Sequence, residues 1–198
     1  MFQQEFILKV VILLSHILHL LNPDKELLKN YKCITRRSGI ILGFHGCDKF
    51  IRDRVVNESG FMLKKSENDY DWLGHGIYFW ENNHERAMHF AEELKDNLKS
   101  SVKEPAVLGV VIDLGDCLDL LDSKFLKEIK ISYDLLCDSY DKFGLELPKN
   151  IKSKSGELLA RKLDCAVIQA THTLNYEANS KEYDSVRGVF FEGGTCRI

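Results

Sequence analysis

The chain has 198 residues, of which 44% are hydrophobic and 29% are charged, and its formal net charge is -3. This length is enough to bury the core of one domain, and the composition is ordinary for a globular protein. The small net charge excludes a global basic field of the kind that attracts nucleic acid, while a local basic groove stays compatible with it.

The first 38 residues read as a segment of their own. Residues 6–21 are an apolar run interrupted by Lys9 and other polar residues, and a polar connector follows. The run lacks the basic flank and cleavage site of a signal peptide, and it is too short and interrupted for a membrane span. We expect an apolar helix that packs or binds a partner. The alternatives are a membrane-targeting segment and an extension foreign to the working domain, which we expect at 39–198.

Strands and helices alternate from residue 39 onward. Asp48 is placed to cap a helix, and the run 106–115 is apolar throughout, which is typical of a strand buried on both faces. The pattern predicts an α+β domain with a largely β core. In chain order, strands are predicted at 39–46, 77–80, 106–115, 164–170 and near the end of 183–194, and helices at 48–56, from Glu81 through Ala87 and Ala91 to Leu98, at 122–140 and at 155–163.

The cysteines carry no metal or disulfide signature. No C-x-x-C pair occurs and the spacing is irregular, so neither a zinc site nor a disulfide framework is expected. Free thiols are typical of a reducing compartment, and the sequence therefore predicts a cytoplasmic protein. The six cysteines are Cys33, Cys47, Cys117, Cys137, Cys165 and Cys196.

Two short motifs place glycines beside a histidine and a tyrosine. In "GFHGC" (43–47) His45 stands between glycines, and in "GHGIYFW" (74–80) Tyr78 follows Gly76 by two residues. A glycine lets a ligand or another backbone approach closely. Taken alone, the first motif is typical of a histidine in a turn. The second, taken alone, is typical of a core strand whose glycines form a bulge. Together, on two strands that are each followed by a helix, they indicate a site.

The two motifs in this order resemble the ADP-ribosyltransferase superfamily, in its poly(ADP-ribose) polymerase-like branch. That branch is marked by a histidine in an H-G-[ST] strand, a tyrosine in a G-[LI]-Y-F strand and a glutamate on a later strand. Here the first two stand as His45-Gly46-Cys47 and Gly76-Ile77-Tyr78-Phe79. Residues 106–120 and 184–188 are similar to the long strand and the S-V-K-G loop of the family. The resemblance covers 39–194, with 122–182 poorly matched.

The resemblance implies a split β core flanked by helices, with NAD as the substrate. By resemblance, His45 hydrogen-bonds a ribose hydroxyl, the Gly46 backbone pairs with the nicotinamide carboxamide, and Tyr78 stacks on the nicotinamide ring. Gly76 would let its strand approach the ring. Cys47 replaces the usual serine or threonine and, as a thiol, is a weaker hydrogen-bond donor.

The carboxylate is the part of the motif that matches least. In the family the glutamate begins a strand after the S-V-[KR]-G loop, and its role is to stabilise an oxocarbenium-like transition state. This chain offers Glu192, so either Glu192 serves or the catalytic residue belongs to a segment that the chain lacks. The other interpretation of Glu192 is a solvated carboxylate at a strand end. Glu81 reads as a charge at a helix start.

The sequence thus predicts an NAD-dependent mono-ADP-ribosyltransferase, a glycosyltransferase that releases nicotinamide and modifies a protein or nucleic acid. His45, Tyr78 and Glu192 are the predicted catalytic residues. No metal is expected, and the compact size suggests a bacterial toxin or defence effector with an antitoxin or inhibitor protein. The predicted NAD-binding residues are His45, Gly46, Cys47, Gly76 and Tyr78.

Three alternatives stay open. The chain could be a non-catalytic module that binds NAD or ADP-ribose, or a transferase that has lost its last strand. A thiol hydrolase would instead use Cys47 as nucleophile and His172 as base. A basic cluster near the first motif would either meet a phosphate-bearing acceptor or form a solvated face. That cluster consists of Arg36, Arg37, Lys49, Arg52 and Arg54.

Overall fold

The computed structural model describes residues 5–10, 39–98, 100–152 and 158–190. Within these ranges the chain mixes helices and strands, which confirms the predicted α+β class. The strands are β1 Glu5–Val10, β2 Ile40–Asp48, β3 Ile77–Glu81, β4 Pro105–Asp113, β5 Cys117–Asp119, β6 Asn150–Lys152, β7 Leu158–Arg161 and β8 Ser185–Phe190. The helices are α1 Lys49–Asn57, α2 His84–Asp96, α3 Ser123–Phe143 and α4 Lys162–Glu177.

A six-stranded sheet in the order β4-β2-β3-β1-β8-β5 organises the described chain. Neighbouring strands are antiparallel except β5 and β8, which are parallel. Strands β6 and β7 form a separate antiparallel pair. This arrangement puts the strands of both glycine motifs, β2 and β3, next to each other.

The sheet packs a hydrophobic cluster on each face, because successive side chains of a strand point to opposite sides. Tyr78 and Trp80 of β3 belong to the cluster on the face of α2 and α4, where Ala87 and Ile168 are also found. We call it the helix-side cluster. Ile77 and Phe79 of β3 belong to the opposite cluster, together with Ile112 and Leu114.

Residues 5–10 are a strand in the middle of this sheet, so the predicted helix over 6–21 is wrong where the two overlap. Leu8 lies opposite Phe79 of β3 on one side and opposite Arg187 of β8 on the other. Pairing along both edges satisfies the hydrogen-bonding groups of the strand's main chain. An apolar run without clear periodicity is compatible with a helix or a strand, so the sequence alone does not decide between them. These residues therefore belong to the same sheet as residues beyond 39. The rest of 1–38 lies outside the described residues.

The predicted helix at 155–163 is wrong at 158–161, its residues 155–157 lie outside the described residues, and the predicted strand at 164–170 is wrong throughout. Leu158–Arg161 is a strand, and a helix runs from Lys162 to Glu177. The helix buries Cys165, Ile168 and His172, at spacings of three and four, against the sheet. A short apolar stretch does not distinguish a buried helix from a buried strand, and here tertiary packing decides.

Strand β4 is an edge strand and one of its faces is partly exposed, whereas burial on both faces was expected. Its neighbour in the described sheet is β2 alone, and Val111 is 71% exposed.

None of the described helices is long and apolar enough to cross a membrane.

The elements around the two motifs follow the prediction closely. Asp48 caps α1, its carboxylate accepting from the main-chain N–H of Phe50 at 2.8 Å. Helix α2 begins at His84, and the side chain of Asn83 accepts from the main-chain N–H of Arg86. Glu81 is the last residue of β3, so it does not start the helix as predicted.

Candidate NAD site

Strands β2 and β3 separate at the first glycine motif. In the described sheet their pairing consists of Gly43 opposite Glu81 and Phe44 opposite Trp80. A regular continuation would bring Gly46 opposite Tyr78, but the pairing does not extend that far. Strand β2 stays paired with β4 along its whole length. The ladder between β2 and β3 therefore ends where the histidine motif lies, and we call this unpaired stretch from Gly46 to Tyr78 the gap.

The main-chain groups of Gly46 point into this gap. Alternate residues of an antiparallel strand direct their N–H and C=O to opposite neighbours. The N–H of Asn82 donates to the oxygen of Leu42 at 2.9 Å, so even-numbered residues of β2 face β3. The N–H of Lys49 donates to the oxygen of Glu104 at 2.8 Å, so odd-numbered residues face β4. Gly46 thus presents a donor and an acceptor, which a primary carboxamide complements.

The imidazole of His45 bridges the gap. Its Nδ1 lies 2.8 Å from the main-chain oxygen of Tyr78. Because a carbonyl oxygen only accepts, Nδ1 carries the proton, and Nε2 of the neutral ring is an acceptor. Burial lowers the pKa of His45, and the bond to Tyr78 opposes this only in part. The ring is therefore neutral at neutral pH and suited to accept a hydroxyl hydrogen through Nε2.

Tyr78 is held by the loop that precedes its own strand. Its hydroxyl donates to the main-chain oxygen of Gly74 at 2.8 Å and accepts from the N–H of Leu73 at 3.2 Å. Burial raises the pKa of Tyr78, and the nearby carboxylate of Asp71 adds to this. The hydroxyl is committed to these bonds, so a ligand contact of Tyr78 would have to be made by its ring.

The two predicted site residues meet through the main chain of Tyr78. The ring of His45 packs near Phe79, with centroids 5.7 Å apart, and Phe79 belongs to the opposite cluster. The ring of Tyr78 packs against the helix-side cluster. The two rings therefore leave the sheet on opposite faces. A ligand that contacts both must pass through the gap into which Gly46 points.

The glycines of the two motifs have structural reasons of their own. A Cβ atom on Gly46 would lie 2.2 Å from the main-chain oxygen of Ala87, so the close approach of α2 already requires glycine there. Gly76 donates to the oxygen of Ser66 at 3.0 Å and accepts from its N–H at 2.8 Å. Gly76 thus ties β3 to the preceding loop, and its contact with a ligand stays a prediction.

The structure argues against the thiol-hydrolase alternative. Cys47 is buried in β2, and burial raises the pKa of its thiol, which disfavours the thiolate needed for attack. His172 lies on α4 beside Tyr183, with the two ring centroids 6.2 Å apart, and its Nδ1 is 4.0 Å from the carboxylate of Glu182. Nothing in these contacts brings His172 to the thiol.

Glu81 takes part in a charged network that the sequence interpretation missed. Its carboxylate accepts from Nε of Arg187 at 2.8 Å and from Nη2 at 3.1 Å, and Nη1 of Arg187 lies 3.3 Å from Asp119. Only 9% of the Glu81 side chain is exposed. Burial lowers the pKa of Arg187, but the two carboxylates outweigh this and raise it. Since β1 lies between β3 and β8, the network joins strands that are not neighbours.

The remaining predicted residues are outside the described ranges or paired. Glu192, Arg36 and Arg37 are not among the described residues. The three basic residues around α1 all form ion pairs, which favours the solvated-face interpretation of this cluster. These pairs are Lys49–Glu104, Arg52–Asp53 and Arg54–Glu58.

A cavity of about 440 Å³ lies between α3, α4 and Trp72. Its lining is mostly apolar and includes neither His45 nor Tyr78. It is therefore separate from the gap between β2 and β3. In the described part of the chain, no group of three or more histidine, cysteine, aspartate or glutamate side chains is placed to hold a metal ion.

Comparisons with models of protein families, with curated proteins and with solved structures find no match for this chain.

Proposed function

We propose that the protein is an NAD-dependent mono-ADP-ribosyltransferase with a split β core of the ADP-ribosyltransferase type. The observation that carries the proposal is the separation of β2 from β3 at Gly46, bridged by the bond from His45 to Tyr78. The two residues that the family resemblance pairs are thus neighbours in space. They flank the gap toward which the main-chain N–H and C=O of Gly46 are directed.

The gap suits the nicotinamide end of NAD. A carboxamide offers an N–H to the oxygen of Gly46 and an oxygen to its N–H, and this pairing fixes the orientation of the ring. Nε2 of His45 would accept from a ribose hydroxyl, and the ring of Tyr78 would pack on the nicotinamide. Cys47 and Gly76 would support the two strands at this position.

The reaction breaks the bond between the ribose C1′ and the nicotinamide nitrogen. The bonding electrons leave with nicotinamide, which becomes neutral, and the positive charge is shared between C1′ and the ring oxygen of the ribose. A nucleophile of the acceptor then forms the new bond to C1′. Glu192, two residues beyond the end of β8, stays the proposed carboxylate that stabilises the developing charge.

The acceptor is proposed to be a macromolecule, and the setting a bacterial toxin or defence effector held in check by a partner protein. The four cysteines in the described residues are free, which supports action in a reducing cytoplasm.

The second candidate is a module that binds NAD or ADP-ribose without turnover. It depends on Glu192 alone, because the carboxylate of Glu81 at the end of β3 is bound by Arg187 and is not available to replace Glu192. If Glu192 does not reach the gap, binding without cleavage is what the remaining residues support.

Release of labelled nicotinamide from NAD by the full chain tests the proposal. We expect release by the wild type and its loss in His45→Ala, with Thr173→Val on the exposed side of α4 as the control. Saturable NAD binding without release would support the second candidate. Absence of both binding and release would overturn both.

A further inference from the structure

The loop that holds Tyr78 is itself held by helix α4. Nζ of Lys162 lies 2.6 Å from the carboxylate of Asp69, and Sγ of Cys165 lies 3.6 Å from the main-chain oxygen of Asn68. Gln169 is the third contact from the same helix face, at spacings of three and four residues. Its side chain makes two hydrogen bonds to a single loop residue.

That residue is His75, and Gln169 fixes both its main chain and its ring. Oε1 of Gln169 accepts from the main-chain N–H of His75 at 3.2 Å. The amide nitrogen Nε2 therefore faces Nδ1 of His75, 3.1 Å away, and donates to it. The two bonds leave the His75 ring no freedom to turn without breaking one of them.

From His75 the restraint reaches the tyrosine through two residues. Gly74, which adopts a left-handed conformation with φ of +75°, supplies the oxygen that accepts from the Tyr78 hydroxyl. Leu73 supplies the N–H that donates to the same hydroxyl. Gly74 is also closed into a turn, since its N–H donates to the oxygen of Asp71 at 2.7 Å.

We infer that Gln169 is a positioning residue that sets the orientation of the Tyr78 ring through the loop 73–75. The inference rests on the proposed function, because it assumes that this ring contacts the nicotinamide of NAD. The side-chain hydrogen bonds of Gln169 go to His75, and not to the ring of Tyr78 or to Gly46. Its effect would pass through His75 to the two main-chain groups that hold the tyrosine hydroxyl.

The test compares three variants of the full chain. Gln169→Met keeps the length of the side chain and removes both bonds. Gln169→Glu keeps an acceptor for the main-chain N–H of His75, and its second oxygen can accept from a ring N–H at Nδ1. This variant should therefore behave like the wild type. Lys162→Met is the matched control, because it removes a contact of the same helix with the same loop at Asp69, away from Leu73 and Gly74.

Two measurements separate positioning from general stability. In Gln169→Met we expect KM for NAD to rise about three- to tenfold with kcat little changed, as for a lost binding orientation. We also expect faster hydrogen exchange at the Leu73 amide without a matching change in the global unfolding transition. Gln169→Glu and Lys162→Met should stay close to wild type in both.

Equal changes in Gln169→Met and Lys162→Met would overturn the inference, since any loosening of the loop would then suffice. Unchanged exchange at Leu73 in Gln169→Met would overturn it as well. The exchange measurement needs no turnover. A wild-type protein that neither binds nor cleaves NAD would refute the proposed function, while the exchange data would still show whether Gln169 holds the loop.

Discussion

The Nδ1 atom of His45 lies 2.8 Å from the main-chain oxygen of Tyr78, at the position where β2 and β3 have stopped pairing. The carbonyl group that would have received the N–H of Gly46 in a continuous sheet is bound to the imidazole instead. Because the imidazole takes the place of the Gly46 N–H at this carbonyl, the main chain of Gly46 is directed into the gap. The two motif residues thereby define an opening in the sheet.

Removing the hydroxyl of Tyr78 should destabilise the protein. In Tyr78→Phe, the N–H of Leu73 and the oxygen of Gly74 each lose a partly buried hydrogen-bond partner. We expect the free energy of unfolding, measured by urea denaturation, to fall by about 1–3 kcal/mol. Tyr176→Phe is the control, because Tyr176 is 71% exposed. Equal stability of the two variants would show that the hydroxyl bonds contribute nothing.

A methyl group at position 46 should displace helix α2. In Gly46→Ala the new Cβ would lie 2.2 Å from the main-chain oxygen of Ala87, and backbone atoms cannot move aside cheaply. We expect a loss of about 1–3 kcal/mol or more in the free energy of unfolding. In the control Gly109→Ala, on the neighbouring strand β4, the nearest atom is on the Phe44 ring at 3.3 Å. A smaller loss is expected there, and the reverse order would contradict the packing described.

The network of Arg187 should matter more than the ion pairs at the surface. Arg187→Met leaves Glu81, with 9% of its side chain exposed, without its bidentate partner. We expect the free energy of unfolding to fall by about 3 kcal/mol. Lys49→Met removes an ion pair whose side chains are 53% and 70% exposed, and it should cost less than about 1 kcal/mol. Similar costs for both variants would mean that the network is not effectively buried.

The stability of the protein should depend on pH through His45. Its pKa in the folded protein is lowered by burial, below the usual histidine value of about 6.5. As the pH falls below that value, the unfolded chain takes up a proton before the folded protein does, so this residue then favours unfolding.

The variant His45→Asn lacks this proton uptake. The stability advantage of wild type over the variant should therefore shrink as the pH falls from about 7.5 to about 5. Urea denaturation at several pH values measures this difference. A difference that is constant over this pH range would show that folding does not lower the pKa of His45.

The strands and helices around the motifs could be predicted because their signals are local. Asp48 before an amphipathic stretch indicates a capped helix, and the structure has α1 there. Glycines next to a short aromatic run indicate a strand, and β3 begins at Ile77. These signals operate over a few residues, where propensity and capping decide.

The sequence could not predict the parts that depend on distant contacts. Residues 5–10 and 164–170 are apolar runs compatible with a helix or a strand, and pairing or burial elsewhere decides between them. The bonds of Gln169 join α4 to His75 across 94 residues, and no local pattern indicates them. The same holds for Arg187 and Glu81, which meet across an intervening strand.

The most direct test of the account is whether the gap at Gly46 recognises the carboxamide of NAD. Isothermal titration calorimetry with the full chain would compare NAD with the analogue that carries a carboxylate in place of the carboxamide. A carboxylate cannot donate to the oxygen of Gly46, so we expect NAD to bind at least about tenfold more tightly. Equal affinity for the two ligands, or no binding of NAD, would contradict the account.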